Sequence, residues 1–188
     1  MAHLVIVCGV PGSGKSTFAV RAADRCGAVR FASETFAEEL GAAARTASGD
    51  LTKRAIAHAY AAMGAAARDA LSTNNLVIAV GSFRLEEQRS RFRSIAKSCG
   101  SGVTTLRVVC PVEIAAKRIR ARLAFGERGP DEKAIRQIAD GLNGADDIDL
   151  ALTNDSSIED FHRRVDAVLK RLISSPPAPK RTTGKVGS

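Results

Sequence analysis

Short apolar runs alternate with helical patterns along most of the chain. The apolar runs are nearly unbroken and rich in Val and Ile, which is typical of buried parallel strands. They cover residues 4–8, 29–32, 76–80, 106–110 and 150–153. Strands that alternate with helices predict an α/β fold: a three-layer sandwich in which helices flank a parallel, five-stranded sheet.

Two of the helical patterns have a clear apolar face. The first places apolar side chains at spacings of three and four, at Ile56, Tyr60, Met63, Ala67 and Leu71. The second follows the last strand and begins with Ser156 and Glu159, which match a capping box. Its apolar face consists of Ile158, Phe161, Val165, Leu169 and Leu172. We expect this final helix to pack on the sheet.

The last fifteen residues differ in composition from the rest. They contain Pro176, Pro177 and Pro179 and almost no apolar area that could offset the entropy of ordering. The sequence therefore predicts one folded domain over residues 1–173 and a flexible basic tail over residues 174–188. The tail has three cationic residues and no acid, so the domain carries +5 of the net charge of +8.

Composition narrows the class of protein. A chain of 188 residues with 45% hydrophobic and 26% charged residues fits one globular domain. No apolar run is long enough to cross a bilayer and the first residues enter a strand directly, so we expect a cytoplasmic protein without a membrane partner. The four cysteines lack CxxC spacing and are expected to be reduced, mostly packed thiols.

A phosphate-binding motif follows the first predicted strand. Residues 9–17 match GxxxxGK[ST] and precede a helical segment, which is the context that the motif requires. The alternative, a glycine-rich turn that only connects strand and helix, does not account for the full motif in register. We expect Lys15 to contact the β and γ phosphates of ATP and Ser16 to bind Mg²⁺. The predicted nucleotide contacts are Gly9, Val10, Pro11, Gly12, Ser13, Gly14, Lys15, Ser16 and Thr17.

From residue 4 to residue 172, the order of these features resembles the P-loop kinase-like family that includes zeta toxins and polynucleotide 5′-kinases. The resemblance implies phosphoryl transfer from Mg-ATP. In that family, an Asp after the second strand is the general base for the acceptor hydroxyl, and an Arg follows it. The corresponding positions here are Glu34 and Ala37, so the resemblance implies Glu34 as the base without the arginine contact.

A second departure from the family lies after the third strand. The family has an aspartate where this chain has Val80, and a valine cannot bind Mg²⁺ through water. The metal would therefore depend mainly on Ser16, with Glu34 as a further candidate ligand. Two departures in one site leave open a catalytically weak, nucleotide-dependent binding or regulatory module.

Two later segments also resemble parts of kinases. The pattern after the fourth strand, with Arg118 and Arg122 on one helical face, resembles a mobile lid whose arginines reach the ATP phosphates. A solvated basic face is the alternative. Residues 152–156 resemble the turn that flanks adenine, which makes Asn154 a candidate nucleotide contact; a plain capping turn is equally consistent.

The remaining polar residues are interpreted as structural. His3, His58 and His162 lack metal spacing and are expected at surface or helix positions. Arg84, Arg89, Arg91 and Arg93 read as a charged helix face, with Arg89 kept as a possible contact to an acidic acceptor. Asp146, Asp147 and Asp149 are expected to cap and solvate a turn.

The hypothesis from sequence is a kinase that transfers the γ-phosphoryl group of Mg-ATP to a hydroxyl or phosphate of a small molecule or nucleotide. The catalytic residues would be Lys15, Glu34, Arg118 and Arg122. A nucleic-acid 5′-hydroxyl is the alternative acceptor, favoured by the positive charge and opposed by an aromatic content of only 4%. The sequence leaves the oligomeric state open.

Overall fold

A computed structural model describes residues 1–44, 51–126 and 129–174. Its centre is a parallel sheet in the order β2-β3-β1-β4-β5. The strands are β1 (His3–Cys8), β2 (Val29–Ala32), β3 (Leu76–Val80), β4 (Gly102–Val109) and β5 (Leu150–Thr153). This confirms the predicted α/β fold with five parallel strands.

Helices connect the strands and cover both faces of the sheet. They are α1 (Lys15–Cys26), α2 (Ser33–Glu38), α3 (Lys53–Leu71), α4 (Glu86–Ser98), α5 (Val112–Leu123), α6 (Glu132–Leu142) and α7 (Ile158–Ser174), with a short 3-10 helix at Gly41–Ala44. After β1 the chain forms β2 and β3 on one side of this central strand, and it then forms β4 and β5 on the other side. Ligands of open α/β sheets bind at such a switch point, beside the carboxyl ends of the strands.

The alternation of side chains along β1 divides the core into two layers. Val5 and Val7 pack with the buried faces of α1 and α7, whereas Leu4 and Ile6 pack with those of α3 and α4. In both layers most of the buried side chains around the central strand are apolar. The central strand is therefore covered on both sides, and its carboxyl end is held in a fixed position.

The two predicted apolar faces are largely confirmed. Most of their members are buried along α3 and α7, and Ile56 is partly buried; Ile158 is 50% exposed because it is the first residue of α7 and lies outside the packed turns. The predicted cap is wrong by one residue. The backbone N–H of Asp160 donates to Ser157 Oγ at 3.2 Å, so Ser157 caps the helix and Ser156 precedes the cap.

The fourth strand is longer than the apolar run predicted. It begins at Gly102, and the polar residues Thr104 and Thr105 pair with Val5 and Ile6 of β1. His3 Nε2 and Thr104 Oγ1 lie 2.9 Å apart and hydrogen-bond within the core. His3 is 6% exposed and burial lowers its pKa, so the expectation of a surface position is wrong for this histidine.

Two of the segments predicted from sequence include residues that lie outside the described ranges. The helix α7 reaches Ser174, and residues 175–188 of the predicted tail lie outside the described residues. So do residues 127 and 128 of the predicted lid loop. The described helices include none that could span a membrane. All four cysteines are free, and Cys8 and Cys110 are buried.

Candidate active site

The GxxxxGK[ST] segment forms the loop between β1 and α1, at the carboxyl end of the central strand. Gly9, Gly12 and Gly14 all have positive φ angles, which glycine adopts without steric cost. At Gly14 a side chain is excluded twice, by a φ of 104° and by Asn154, whose Nδ2 would lie 2.3 Å from an added Cβ. The backbone of the loop is thus shaped by its glycines.

The first turn of α1 is open to a ligand. Gly14 is the N-cap residue of α1. Among the described residues no side-chain hydrogen bond caps this helix start, and the first turn contains no acidic residue. The backbone N–H groups of a helix start have no partner within the helix and favour anions, and phosphate is the anion that this loop geometry fits. Ser16 is exposed at this helix start. The hydroxyl is therefore available to a ligand or metal.

Lys15 is buried in the loop although it is charged. Its side chain is 6% exposed, and Nζ donates to the carbonyl oxygen of Val10 at 2.8 Å. Burial lowers the pKa of Lys15 to about 8, while the Glu34 carboxylate raises it and the Arg122 guanidinium lowers it further. The ammonium group has three N–H donors and, among the described residues, one acceptor. The remaining donors could bind phosphate oxygens.

Two predicted catalytic residues act electrostatically on a third, Lys15. Glu34 lies on the first turn of α2 and is exposed, and Arg122 lies on the last turn of α5 and is also exposed. The Glu34 carboxylate raises the pKa of Lys15 and the Arg122 guanidinium lowers it. Elements from distant parts of the sequence therefore bring both charges within electrostatic reach of the phosphate-binding loop.

Arg118 and Asn154 contact the loop from outside. Asn154 is 5% exposed, and its Nδ2 donates to the carbonyl oxygen of Ser13 at 2.7 Å. Arg118 donates to the carbonyl oxygen of Gly12 at 3.3 Å and to Asn154 Oδ1 at 3.4 Å. In the described structure, Asn154 and Arg118 therefore hold the loop conformation. Their contacts to ATP stay a prediction.

A cavity of about 360 Å³ opens beside the loop, between α1 and α7. It begins at Ser16 and Thr17 and continues past Arg21 to His162. The guanidinium of Arg21 is held by a salt bridge to Asp166. The space is continuous with the phosphate-binding end of α1, so a molecule bound to the loop has room to extend in this direction.

The residues at the loop fit a magnesium ion that is held mainly by its ligand's phosphates. The exposed Ser16 hydroxyl is the oxygen that the loop offers. Val80, which replaces the family's aspartate, is 2% exposed in the apolar core and offers none. No group of three or more His, Cys, Asp or Glu side chains in the described ranges could hold a metal ion by itself.

Arg89 is buried and paired within the protein, so its predicted role as an acceptor contact is wrong. Its side chain is 3% exposed and forms a salt bridge to Asp147 at 2.7 Å. A second nitrogen, Nη1, donates to the carbonyl oxygen of Phe83 at 2.7 Å. Through these contacts the guanidinium joins α4 to the segment before β5. The guanidinium is therefore not available to a ligand.

The acids before β5 are anchors of the fold as well. Asp149 pairs with Arg93 at 3.1 Å and accepts from the backbone N–H of Thr105 at 2.7 Å. Asp147 and Asp149 therefore form buried or half-buried ion pairs with α4, and the interpretation as a solvated turn is wrong for both. Their arginine partners are more than fifty residues away in sequence, so spacing could not reveal them.

Sequence reasoning missed the hydroxyl of Tyr60. The residue was assigned only to the apolar face of α3, and its ring does pack there. Its hydroxyl, however, accepts a hydrogen bond from the backbone N–H of Phe83 at 2.9 Å. A tyrosine in an otherwise aliphatic stripe is a signal for such a contact, because a buried phenol usually requires a polar partner.

Comparisons with known proteins agree with this geometry. The AAA domain family model matches residues 4–144. A gluconokinase from Sinorhizobium meliloti 1021 has a TM-score of 0.68 at 20% identity, with coverage of 92% of this chain and 94% of that chain. The Mycobacterium tuberculosis APS kinase CysC, solved with AMPPNP and APS, has a TM-score of 0.65 at 18% identity, with coverage of 90% and 98%.

A chain of the Pnkp1/Rnl/Hen1 RNA repair complex is also similar, with a TM-score of 0.58 at 20% identity and coverage of 75% of this chain and 44% of that chain. These likenesses show the P-loop kinase fold. No curated protein matches the sequence significantly.

Proposed function

Because the chain belongs to the AAA domain family, we propose that it is a phosphotransferase that uses Mg-ATP to phosphorylate a hydroxyl or phosphate of a small molecule or nucleotide. The observation that carries the proposal is the buried ammonium of Lys15, on which both Glu34 and Arg122 act. A loop for phosphate, together with an exposed carboxylate and an exposed cation that both act on its lysine, supplies the components of phosphoryl transfer.

In the proposed mechanism, Lys15 leaves the carbonyl oxygen of Val10 and donates to the β and γ phosphates. The backbone N–H groups of the loop and the start of α1 complete the phosphate contacts. Bound Mg²⁺ would be held by Ser16 and the phosphate oxygens, and it supplies positive charge to them. The nucleotide is thus fixed with its γ phosphate toward the open mouth of the loop.

For a hydroxyl acceptor, the oxygen forms a bond to the γ phosphorus while the bond from that phosphorus to the β–γ bridging oxygen breaks, and ADP leaves. Glu34 accepts the proton of the hydroxyl, which its exposed position permits. Arg122 and Arg118 stabilise the charge of the transferred group from the α5 side.

The test is a transfer assay with γ-labelled ATP and a panel of sugars, sugar acids, nucleotides and 5′-hydroxyl oligonucleotides. We expect Glu34→Gln to reduce transfer about a hundredfold with little change in ATP affinity, because the carboxamide cannot accept a proton. Glu38→Gln is the matched control, since Glu38 is an exposed acid one turn later on the same helix. Equal rates for the two variants would exclude Glu34 as the base.

A polynucleotide 5′-hydroxyl is the second candidate acceptor, favoured by the net charge of +8 and by the similarity to the RNA repair chain. Transfer to oligonucleotides alone, with steep salt dependence, would select it. The third possibility is a nucleotide-dependent binding module, favoured by the buried Val80. ATP binding without transfer to any member of the panel would select that role and reject the enzyme.

A further inference from the structure

The hydroxyl of Tyr60 joins two turns at the carboxyl edge of the sheet. Tyr60 is 6% exposed on α3 and accepts a hydrogen bond from the backbone N–H of Phe83 at 2.9 Å. Its oxygen lies 3.4 Å from Ser82 Oγ, and the Ser33 hydroxyl lies on the same side of the turn, because a Cβ added at Gly81 would meet both Tyr60 Oη and Ser33 Oγ. One phenol thus connects the turn after β3 with the start of α2.

The turn after β3 is shaped around this hydroxyl. At Gly81 an added Cβ would lie 2.6 Å from Tyr60 Oη and 3.1 Å from Ser33 Oγ, so only glycine fits. Phe83 has a φ of 44°, a conformation that costs a non-glycine residue on the order of 1 kcal/mol or more. The N–H of Phe83 is held by Tyr60 and its carbonyl by Arg89, which explains how the strained conformation persists.

The same turn contacts the phosphate-binding loop. The backbone N–H of Gly9 donates to the carbonyl oxygen of Ser82 at 3.3 Å. On the other side, Ser33 precedes Glu34, whose charge acts on both Tyr60 and Lys15. Burial raises the pKa of the Tyr60 phenol, so it keeps its proton at neutral pH and can donate as well as accept.

We propose that Tyr60 is a positioning residue that couples the phosphate-binding loop to Ser33 and Glu34 on the acceptor side. Nucleotide binding draws the Lys15 ammonium from the carbonyl oxygen of Val10 to the phosphates, this local change passes from Gly9 to Ser82, and the phenol transmits it to the start of α2. The proposal rests on the proposed function, because it concerns the positioning of Glu34. It adds a hydrogen-bonded path between the two halves of the site.

The composition of the chain offers a direct probe of this path. Tyr60 is the only tyrosine and the chain has no tryptophan, so intrinsic tyrosine emission reports this one phenol. We expect titration with Mg-ATP to change the emission, with the same midpoint as binding measured by calorimetry. Calorimetric binding with constant emission would overturn the coupling and leave the proposed function intact. Absence of calorimetric binding would overturn the proposed function itself.

Ser82→Ala is the variant that tests the path, because it retains the fluorophore. We expect it to bind Mg-ATP and to lose most of the emission change. The matched control is Ser98→Ala, which removes a hydroxyl that donates to the carbonyl oxygen of Ile95 at 2.8 Å at the far end of α4. An emission change of wild-type size in both variants would contradict a path through Ser82.

Tyr60→Phe tests the consequence for transfer. The variant keeps the edge-to-face ring contacts with Phe83 and Phe92, at 4.9 and 6.4 Å between centroids, and removes only the hydroxyl. We expect kcat to fall about tenfold and KM for the acceptor to rise, with ATP affinity within about twofold. A general loss of stability would affect ATP affinity as well. Unchanged kcat and KM, at the wild-type ATP affinity, would reject the positioning role.

Discussion

The two sides of the candidate active site differ in how firmly their polar groups are held. On the phosphate side, Lys15 and Asn154 are 6% and 5% exposed and both are hydrogen-bonded, and Asn154 fixes the loop through the carbonyl oxygen of Ser13. On the acceptor side, Glu34 is exposed on a helix of six residues whose start has no side-chain cap among the described residues.

The two sides of the site therefore differ in how ordered they are before a ligand binds. Polar groups that are buried and hydrogen-bonded in advance need little ordering when a ligand binds, so binding retains more of the interaction free energy. Exposed groups on a short helix must be ordered and desolvated by the ligand. We infer that the phosphate side is preorganised for nucleotide and that the acceptor side is completed on binding.

We expect the largest effect from a substitution on the phosphate side. Lys15→Met keeps the length of the side chain and removes its charge, which no described neighbour in the loop replaces. We expect the affinity for Mg-ATP to fall about a hundredfold, as the loss of a charged hydrogen-bond donor to phosphate predicts. Calorimetry with Mg-ATP measures it.

Lys117→Met is the control for Lys15→Met, because Lys117 is an exposed lysine on α5. Equal affinities of the two variants would remove the basis of the phosphate-site assignment.

A smaller effect tests preorganisation directly. Asn154→Ala leaves the carbonyl oxygen of Ser13 without the donor that it has at 2.7 Å. A buried acceptor left unpaired costs about 2 kcal/mol, which lowers Tm by roughly 4 to 8 °C. Because the loop loses its fixed conformation, we expect ATP affinity to fall about tenfold.

The control for Asn154→Ala is Asn143→Ala, where the amide oxygen accepts only an exposed hydrogen bond from Arg107 at 3.0 Å. We expect Tm within about 1 °C of wild type, as is usual for surface substitutions. Similar losses of ATP affinity at both positions would argue against preorganisation by Asn154.

The smallest effect concerns the end of the chain. Removal of residues 175–188 takes away three prolines and little apolar area, so we expect Tm and ATP affinity to stay unchanged. Thermal unfolding and calorimetry of the shortened chain measure both quantities. A marked fall in either would mean that this segment belongs to the folded domain or to one side of the site.

How much the sequence predicted depended on how local each signal was. The loop of residues 9–17 was identified because its glycines, lysine and serine are consecutive. Arg89 was misassigned because its partner Asp147 is 58 residues away, and the start of β4 was missed because Thr104 finds His3 101 residues away. Polar residues are interpreted correctly from sequence only when their partners are near in the chain.

Tyr60 shows the same limit within one residue. Its ring obeys the spacing of a buried helix face, so periodicity predicted its burial correctly. Its hydroxyl contacts the turns that follow two other strands, and no local sequence pattern indicates these contacts. The tertiary arrangement of the strands is required before this contact can be recognised.

The buried ammonium of Lys15 also bears on how variants of this protein can be selected. The fall of its pKa from 10.5 to about 8 corresponds to roughly 3 kcal/mol that opposes folding of the empty protein. Because the unfolded chain binds this proton more tightly, the cost is complete below pH 8 and disappears as pH rises toward 10.5. A library screened for heat resistance alone would therefore enrich replacements of Lys15, so such a screen must include nucleotide to retain working proteins.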